Sequence, residues 1–312
     1  MQEPPVDPLR TVPRPRPPHH ACRRPAQRNH TWLAAVFAAL LATGTASSQT
    51  EPQNPAKAEA PERLAKWPPS TEAQRRRVNA LIGQFRKDNP ELQTRSEQQL
   101  VKTGDIAAPL LLQRVSDREP NINEAVFVVL DQLLQPRHAV LMAKRVKGKR
   151  TELRRYLVRR LCQFHAADMR QLFERVQSDD DEEIAFYASL GLLGLADLEQ
   201  LDPVLTYARK HWTTQRDLMA EVLVEVRSEA AGIAILAEIA DAASTAQTTG
   251  LRLMRYLATQ DQRALVRPYL LAEDHNVKKA AINTMRVLTG QAPIEKLSVF
   301  QTIEMAKEWL DK

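Results

Sequence analysis

Residues 104 to 117 read GDIAAPLLLQRVSD. A Gly-Asp turn opens the stretch, and Pro109 stands where a helix tolerates proline, in its first turn, because the missing N–H has no partner there anyway. Leucines follow, and Asp117 closes the run. Its tail, LLQRVSD (111 to 117), has counterparts in MAKRVKG (142 to 148), LFERVQS (172 to 178) and LAEIADA (236 to 242). Val115, Val146, Val176 and Ile239 hold matching places, about 31, 30 and 63 residues apart, which is one, one and two steps of a single period.

Prolines give an independent ruler. Pro109, Pro203 and Pro268 each precede an apolar pair or triplet, at separations of about 94 and 65 residues, three and two steps of the same period. Between these markers the apolar residues recur at helical spacing, as in EAVFVVLDQLL, where Ala125, Val126, Val129, Leu130 and Leu133 share one face. The pattern predicts helix pairs over 91–103 with 105–116, 120–134 with 137–147, 149–164 with 167–178, 181–194 with 198–210, 213–227 with 230–240, and 245–258 with 262–272. Helix 72–87 precedes them and the pair 275–289 with 297–311 closes the array. Each helix is apolar on one broad stripe, so a lone pair cannot hide its surface and must stack on its neighbours.

GDIAAPLLLQRVSD resembles the second half of a HEAT repeat, with the turn, the first-turn proline, the inner leucines and the closing Asp in place. LADLEQLDPVLTYAR, ending at Arg209, and TQDQRALVRPYLLAED, ending at Asp274, are looser copies. VKKAAINTMRVLTGQ followed by EMAKEWL looks like the end cap of bacterial HEAT-like proteins. The likeness covers about residues 90 to 290 and lapses at 137 to 147, where neither the proline nor the Gly-Asp turn is found. It implies an all-α fold, an α-solenoid of about six to seven stacked two-helix HEAT-like (armadillo-like helical) repeats over 71–312. It also implies a bias toward protein binding, and no chemistry.

Composition agrees with an all-α chain: aromatic residues make up 5%, glycines number 9 in 312 residues, and Leu, Ala, Val and Ile carry most of the apolar fraction. The net charge of +6 sits mostly at the front. Residues 1 to 49 hold six Arg against two acids, which leaves about +2 on everything after them.

That front reads as a leader. TWLAAVFAALLATGTA, residues 31 to 46, is an uncharged apolar run ending in small residues, with Arg23, Arg24 and Arg28 upstream. Leu33 to Ala42 is about half of the roughly 20 residues needed to span a bilayer, so no permanent membrane span is expected. Residues 1–46 are thus expected to be a signal peptide, cleaved after Ala46 with Gly44 at the −3 site, which would make the protein exported, periplasmic or extracellular. A signal-anchored form is the alternative. The Pro/Arg-rich n-region is long for such a signal, which points to a later translation start or, as the alternative, to a disordered basic tail. Residues 47–70, rich in Pro, Ala and charge, cannot bury enough apolar area to offset their ordering entropy and read as a disordered linker, with Trp67 a staple onto the first helix.

Catalytic patterns are thin. There is no P-loop, GxSxG elbow, HExxH or CxxC. Helical-repeat di-iron hydroxylases need His-Glu pairs, and none of His138, His165, His211 or His275 is followed by Glu. Cys22 lies in the leader, and Cys162 with His165 makes two ligands without a third, a poor metal site better read as a core thiol beside a helix-terminal imidazole. No enzyme activity, metal or cofactor is expected.

Charge is the one local feature above background. Lys144, Arg145, Lys147, Lys149, Arg150, Arg154, Arg155, Arg159 and Arg160 stand against the single acid Glu152, and Asp179, Asp180, Asp181, Glu182 and Glu183 follow one helix later. On one reading the acids cap the helix over 181–194 and the bases are solvated or paired to the next repeat. On the other, Lys144, Arg145, Lys147, Lys149, Arg150, Arg154 and Arg155 form a binding surface for a protein or peptide, an acidic one above all, with Lys144 and Lys147 on the helix that lines the concave side of such a fold. A cytoplasmic nucleic-acid-binding or base-modifying protein is the alternative function. Export, the small charge of the folded part and the lack of interleaved aromatics disfavour it.

Overall fold

A computed structural model describes residues 62–87 and 89–311. All regular structure among them is helical. The α-helices are α1 (Glu72–Gln84), α2 (Pro90–Thr103), α3 (Ala108–Arg114), α4 (Pro120–Leu133), α5 (Ala139–Ala143), α6 (Thr151–Cys162), α7 (Arg170–Val176), α8 (Glu182–Leu193), α9 (Leu201–Leu223), α10 (Glu229–Ile239), α11 (Ser244–Leu257), α12 (Arg267–Leu270), α13 (His275–Leu288) and α14 (Val299–Asp311). No helix among them is long and apolar enough to cross a membrane. The leader over 1–46, its cleavage after Ala46 and the linker as far as residue 61 lie outside the described residues.

Helices fall where the spacing places them, and the differences are local. Several second helices begin as a tight 3-10 turn and become α-helical only afterwards: Gly104–Ile106 before α3, Pro136–His138 before α5, Ala167–Met169 before α7 and Gln260–Val266 before α12. Pro136 opens one of these turns, so the segment around 137–147 does carry a helix-starting proline. The helix expected over 137 to 147 is nevertheless short. It ends at Ala143, and i→i−3 bonds from Arg145 to Met142, Val146 to Ala143 and Gly148 to Arg145 wind residues 144 to 148 into turns instead. The helices expected over 198–210 and 213–227 meet at His211, whose backbone is not helical (φ −123°, ψ 23°), so α9 is two helices joined across a kink at the expected break, without a loop between them. No Gly or Pro breaks the chain there, and the His211 ring stacks on Tyr207 at 4.4 Å across the kink.

Alternate helices are neighbours: α2 lies beside α4, α6 beside α8, α9 beside α11 and α11 beside α13. The intervening helices close onto the next one along, α3 onto α4, α5 onto α6, α7 onto α8, α10 onto α11 and α12 onto α13. Between α4 and α6 the link is aromatic and polar, Phe127 stacking on Tyr156 at 4.3 Å while the Tyr156 hydroxyl donates to Asp131 at 3.0 Å. Buried side chains form one continuous core from Val78 to Trp309.

Residues 62 to 70 are held against the helices, which shortens the linker expected over 47–70. Arg63 meets Asp168 with both ends of its fork, at 2.7 and 3.0 Å, and also donates to the Pro136 carbonyl. Leu64 N–H donates to Arg137 O at 2.9 Å. Trp67 stacks on His138, in the turn before α5, at 5.3 Å and packs against the core. One Arg and one Trp hold a segment whose composition alone argues against order.

His138 is fully buried; its Nδ1 accepts the Gln135 N–H at 3.1 Å and its Nε2 lies 3.3 Å from Asp105. Burial holds its pKa below the ordinary 6.5, with Asp105 opposing and the neighbouring Arg137 reinforcing the fall. As pH drops below about 6.5 the unfolded chain takes up this proton before the folded one does, so stability falls with pH in that window. The melting temperature should therefore decline between pH 7 and 5.5, above the range where carboxylates titrate, and His138→Gln should flatten that slope. Equal slopes for the two proteins would show that His138 does not titrate with folding.

Candidate functional site

A helix ends with carbonyls that have no partner within the helix, and a guanidinium fork from a neighbour can satisfy them while complementing the negative end of the dipole. This is where much of the arginine goes. Arg150 donates to Gln113 O and Val115 O at the end of α3, both at 2.7 Å. Arg160 serves Asp131 O and Leu134 O at the end of α4, Arg170 serves Leu195 O after α8, and Arg227 serves Arg255 O and Tyr256 O on α11. Acids work in the opposite sense at helix starts. Asp117, the closing residue of the first motif, accepts the Thr151 and Glu152 N–H groups and caps α6 from 34 residues away.

The acidic run behaves the same way. Asp181 is the N-cap of α8, accepting the Ile184 N–H at 3.1 Å, and it also takes Arg155 at 2.7 and 3.1 Å. Burial would raise the Asp181 carboxyl, but the Arg155 hydrogen bond and the Ile184 amide outweigh it and leave its pKa below the usual range. The Asp181 hydrogen bond in turn raises the Arg155 guanidinium. Arg155 also reaches Glu152 and Glu183, Arg154 pairs with Asp179, and Glu182 takes Lys210 at 2.8 Å. Three of the seven expected binding residues, Arg150, Arg154 and Arg155, are thus spent inside the fold.

What is left is a shorter basic segment. Lys144, Lys147 and Lys149 are exposed and Arg145 half-buried, and none of the four has an ion pair among the described residues. Burial, with Arg150 adding to it, lowers the Arg145 guanidinium. Lys144 and Lys147 stand on the turns after α5 and not on a helix. Lys147 and Lys149 line an open cleft of about 430 Å³ with Arg175 of α7, over a floor made by Val146, Leu172 and Val176. Sequence reasoning missed Arg175, although it sits in LFERVQS (172 to 178), 30 residues after Arg145 in MAKRVKG.

The remaining polar candidates are structural. Cys162 is buried, its thiol donates to Arg159 O at 2.9 Å, and burial pushes its pKa up, which keeps it protonated and unreactive. His165 holds a left-handed conformation (φ 47°) at the end of α6 and bonds Val222 O at 3.0 Å. A second gathering of cations, Arg252 and Arg255 of α11 and Lys279 of α13, lines a cavity against Trp212 of α9. Its members stand 24 to 40 residues apart from Lys279 back to Trp212, except for the two arginines, so no local motif announces them. No family model matches the chain, and no curated protein is similar to it.

Proposed function

We propose that the protein is an exported, non-enzymatic scaffold of HEAT-like repeats that receives an acidic protein or peptide at the cleft between the 144–149 turns and α7. The observation that carries this reading is the cleft itself, where Lys147, Lys149 and Arg175 surround an apolar floor and have no carboxylate partner among the described residues, while Arg154, also in the lining, is paired with Asp179. An acidic segment with one apolar side chain fits that chemistry. Stacking of alternate helices supports the repeat reading, since it is how repeats bury stripes that no single pair can cover. Export rests on the apolar run over 31–46.

Exposed charges act chiefly on encounter and are screened over about 8 Å at physiological salt. With a partner captured from the extracytoplasmic fraction, Lys147→Glu with Lys149→Glu should slow association several-fold at low salt, with the gap closing as salt rises and the melting temperature unchanged. Equal association rates for the variant and the wild type would remove the cleft from the binding surface.

A further inference from the structure

The cavity between the second half of α9, α11 and α13 has a volume of about 450 Å³. Its outer wall is the segment before α14, and it is fixed in place. The buried amide of Asn283 donates to Ile294 O at 2.9 Å and accepts from Ile294 N–H at 2.6 Å, and Arg286 donates to Ala292 O at 2.9 Å. Such a wall keeps its shape without a ligand, which reduces the ordering cost of binding one.

Inside, the charge is unbalanced. Arg252, Arg255 and Lys279 line the space, and their side chains make no ion pair or hydrogen bond among the described residues. The Nε of Arg255 is shut off from solvent without a partner. The Arg252 guanidinium lies 5.3 Å from the centre of the Trp212 ring, a face that orients the fork and leaves its edge free to donate. The two acids of the lining, Asp217 and Glu295, are both engaged by Arg216, at 3.3 and 3.5 Å. Most part-buried arginines elsewhere in the fold meet a carboxylate or a backbone carbonyl, Arg145 being an exception, so two neighbouring arginines on one helix without either stand apart. Burial lowers the Arg255 pKa to about 10, which leaves it charged at neutral pH, and lowers Arg252 as well.

We propose that this cavity binds a small, doubly charged organic oxyanion, a phosphate monoester or a dicarboxylate, received by Arg252, Arg255 and Lys279. Planar guanidinium forks match the oxygens of either group, and the wall of Trp212, Tyr256 and Ile294 accommodates the body that carries them. The site is separate from the cleft at Lys147 and stands whether or not that cleft binds a partner.

Calorimetric titration of the full chain with phenyl phosphate and with glutarate tests it, sodium sulfate serving as the bare-dianion control. Saturable binding of at least one organic probe, tighter than sulfate, is expected, and the preferred probe identifies the headgroup. Arg255→Gln and Lys279→Gln should each weaken it by about tenfold or more. Arg255→Gln should also melt at or above the wild-type temperature without ligand, because it removes a sheltered, unpaired charge. A purely structural Arg255 would instead lower that temperature while leaving binding unchanged. Absence of saturable binding by both probes, affinity no better than sulfate, or unaltered affinity in both variants would overturn the proposal.

Discussion

Leu130→Ala is expected to lower the free energy of unfolding by about 2 to 5 kcal/mol, the range for deleting a buried leucine and leaving a cavity that the surroundings fill only in part. Leu130 is fully buried on α4, the helix that α2 and α3 both pack against, so the loss falls on a junction between neighbours and not on one isolated helix. Urea denaturation followed by circular dichroism at 222 nm reads the change, with the slope as a check that unfolding stays a single step. A loss below about 0.5 kcal/mol, the scale of an ordinary surface substitution, would place Leu130 outside the core.

Gly250→Ala should destabilise the protein even though alanine is worth roughly 1 kcal/mol more than glycine in a helix interior. A Cβ at this position on α11 would stand 2.4 Å from Ile239 Cγ2 and 3.1 Å from its Cδ1. Ile239, at the end of α10, is itself fully buried and has nowhere to retreat. Overpacking of this kind costs about 1 to 3 kcal/mol, and an approach this close belongs at the upper end, so the clash outweighs the propensity. Ile239→Leu moves the branch away from Cβ and should recover part of the loss when combined with Gly250→Ala, a coupling that a double-mutant cycle measures. A single variant more stable than the wild type would mean that α10 and α11 lie further apart than described.

Helix positions were legible because two unrelated signals, proline in the first turn and apolar residues at helical spacing, mark them in the chain. Pro90, Pro109, Pro120 and Pro268 all sit at the first or second position of their helices. The 3-10 openings were not legible, since i→i−3 bonding leaves no mark on the pattern of apolar residues over three positions. The break within α9 was legible, since the polar stretch around His211 marks where the backbone leaves helical geometry, but not that the two helices meet there without a loop. Trp67 was legible as an anchor, but its stacking on a histidine 71 residues away was not.

The candidate site was harder to read for a definite reason. Arg150 and Arg160 are consumed by backbone carbonyls at the ends of α3 and α4, and a carbonyl is the same at every residue, so sequence cannot show which ones a guanidinium will reach. The pairing of Arg154 and Arg155 with Asp179 and Asp181 was within reach of a charge count, and the count did suggest it. Arg252, Arg255 and Lys279 escape notice because each follows ordinary helix chemistry in its own segment. Only the packing of α9 against α11 and α11 against α13 brings them to one cavity.

At the centre of this account is a core that runs without interruption from α1 to α14 yet is assembled from contacts between neighbours in the helix order. Native-state hydrogen exchange across the whole chain tests that most directly, because each amide reports the free energy of the smallest opening that exposes it. The expected result is graded protection, greatest in α6, α8 and α11, which have helices packed on both sides, and declining toward α1 and α14. A single opening free energy shared by the slowest amides of every helix, from α1 to α14, would contradict it and identify one indivisible globular core.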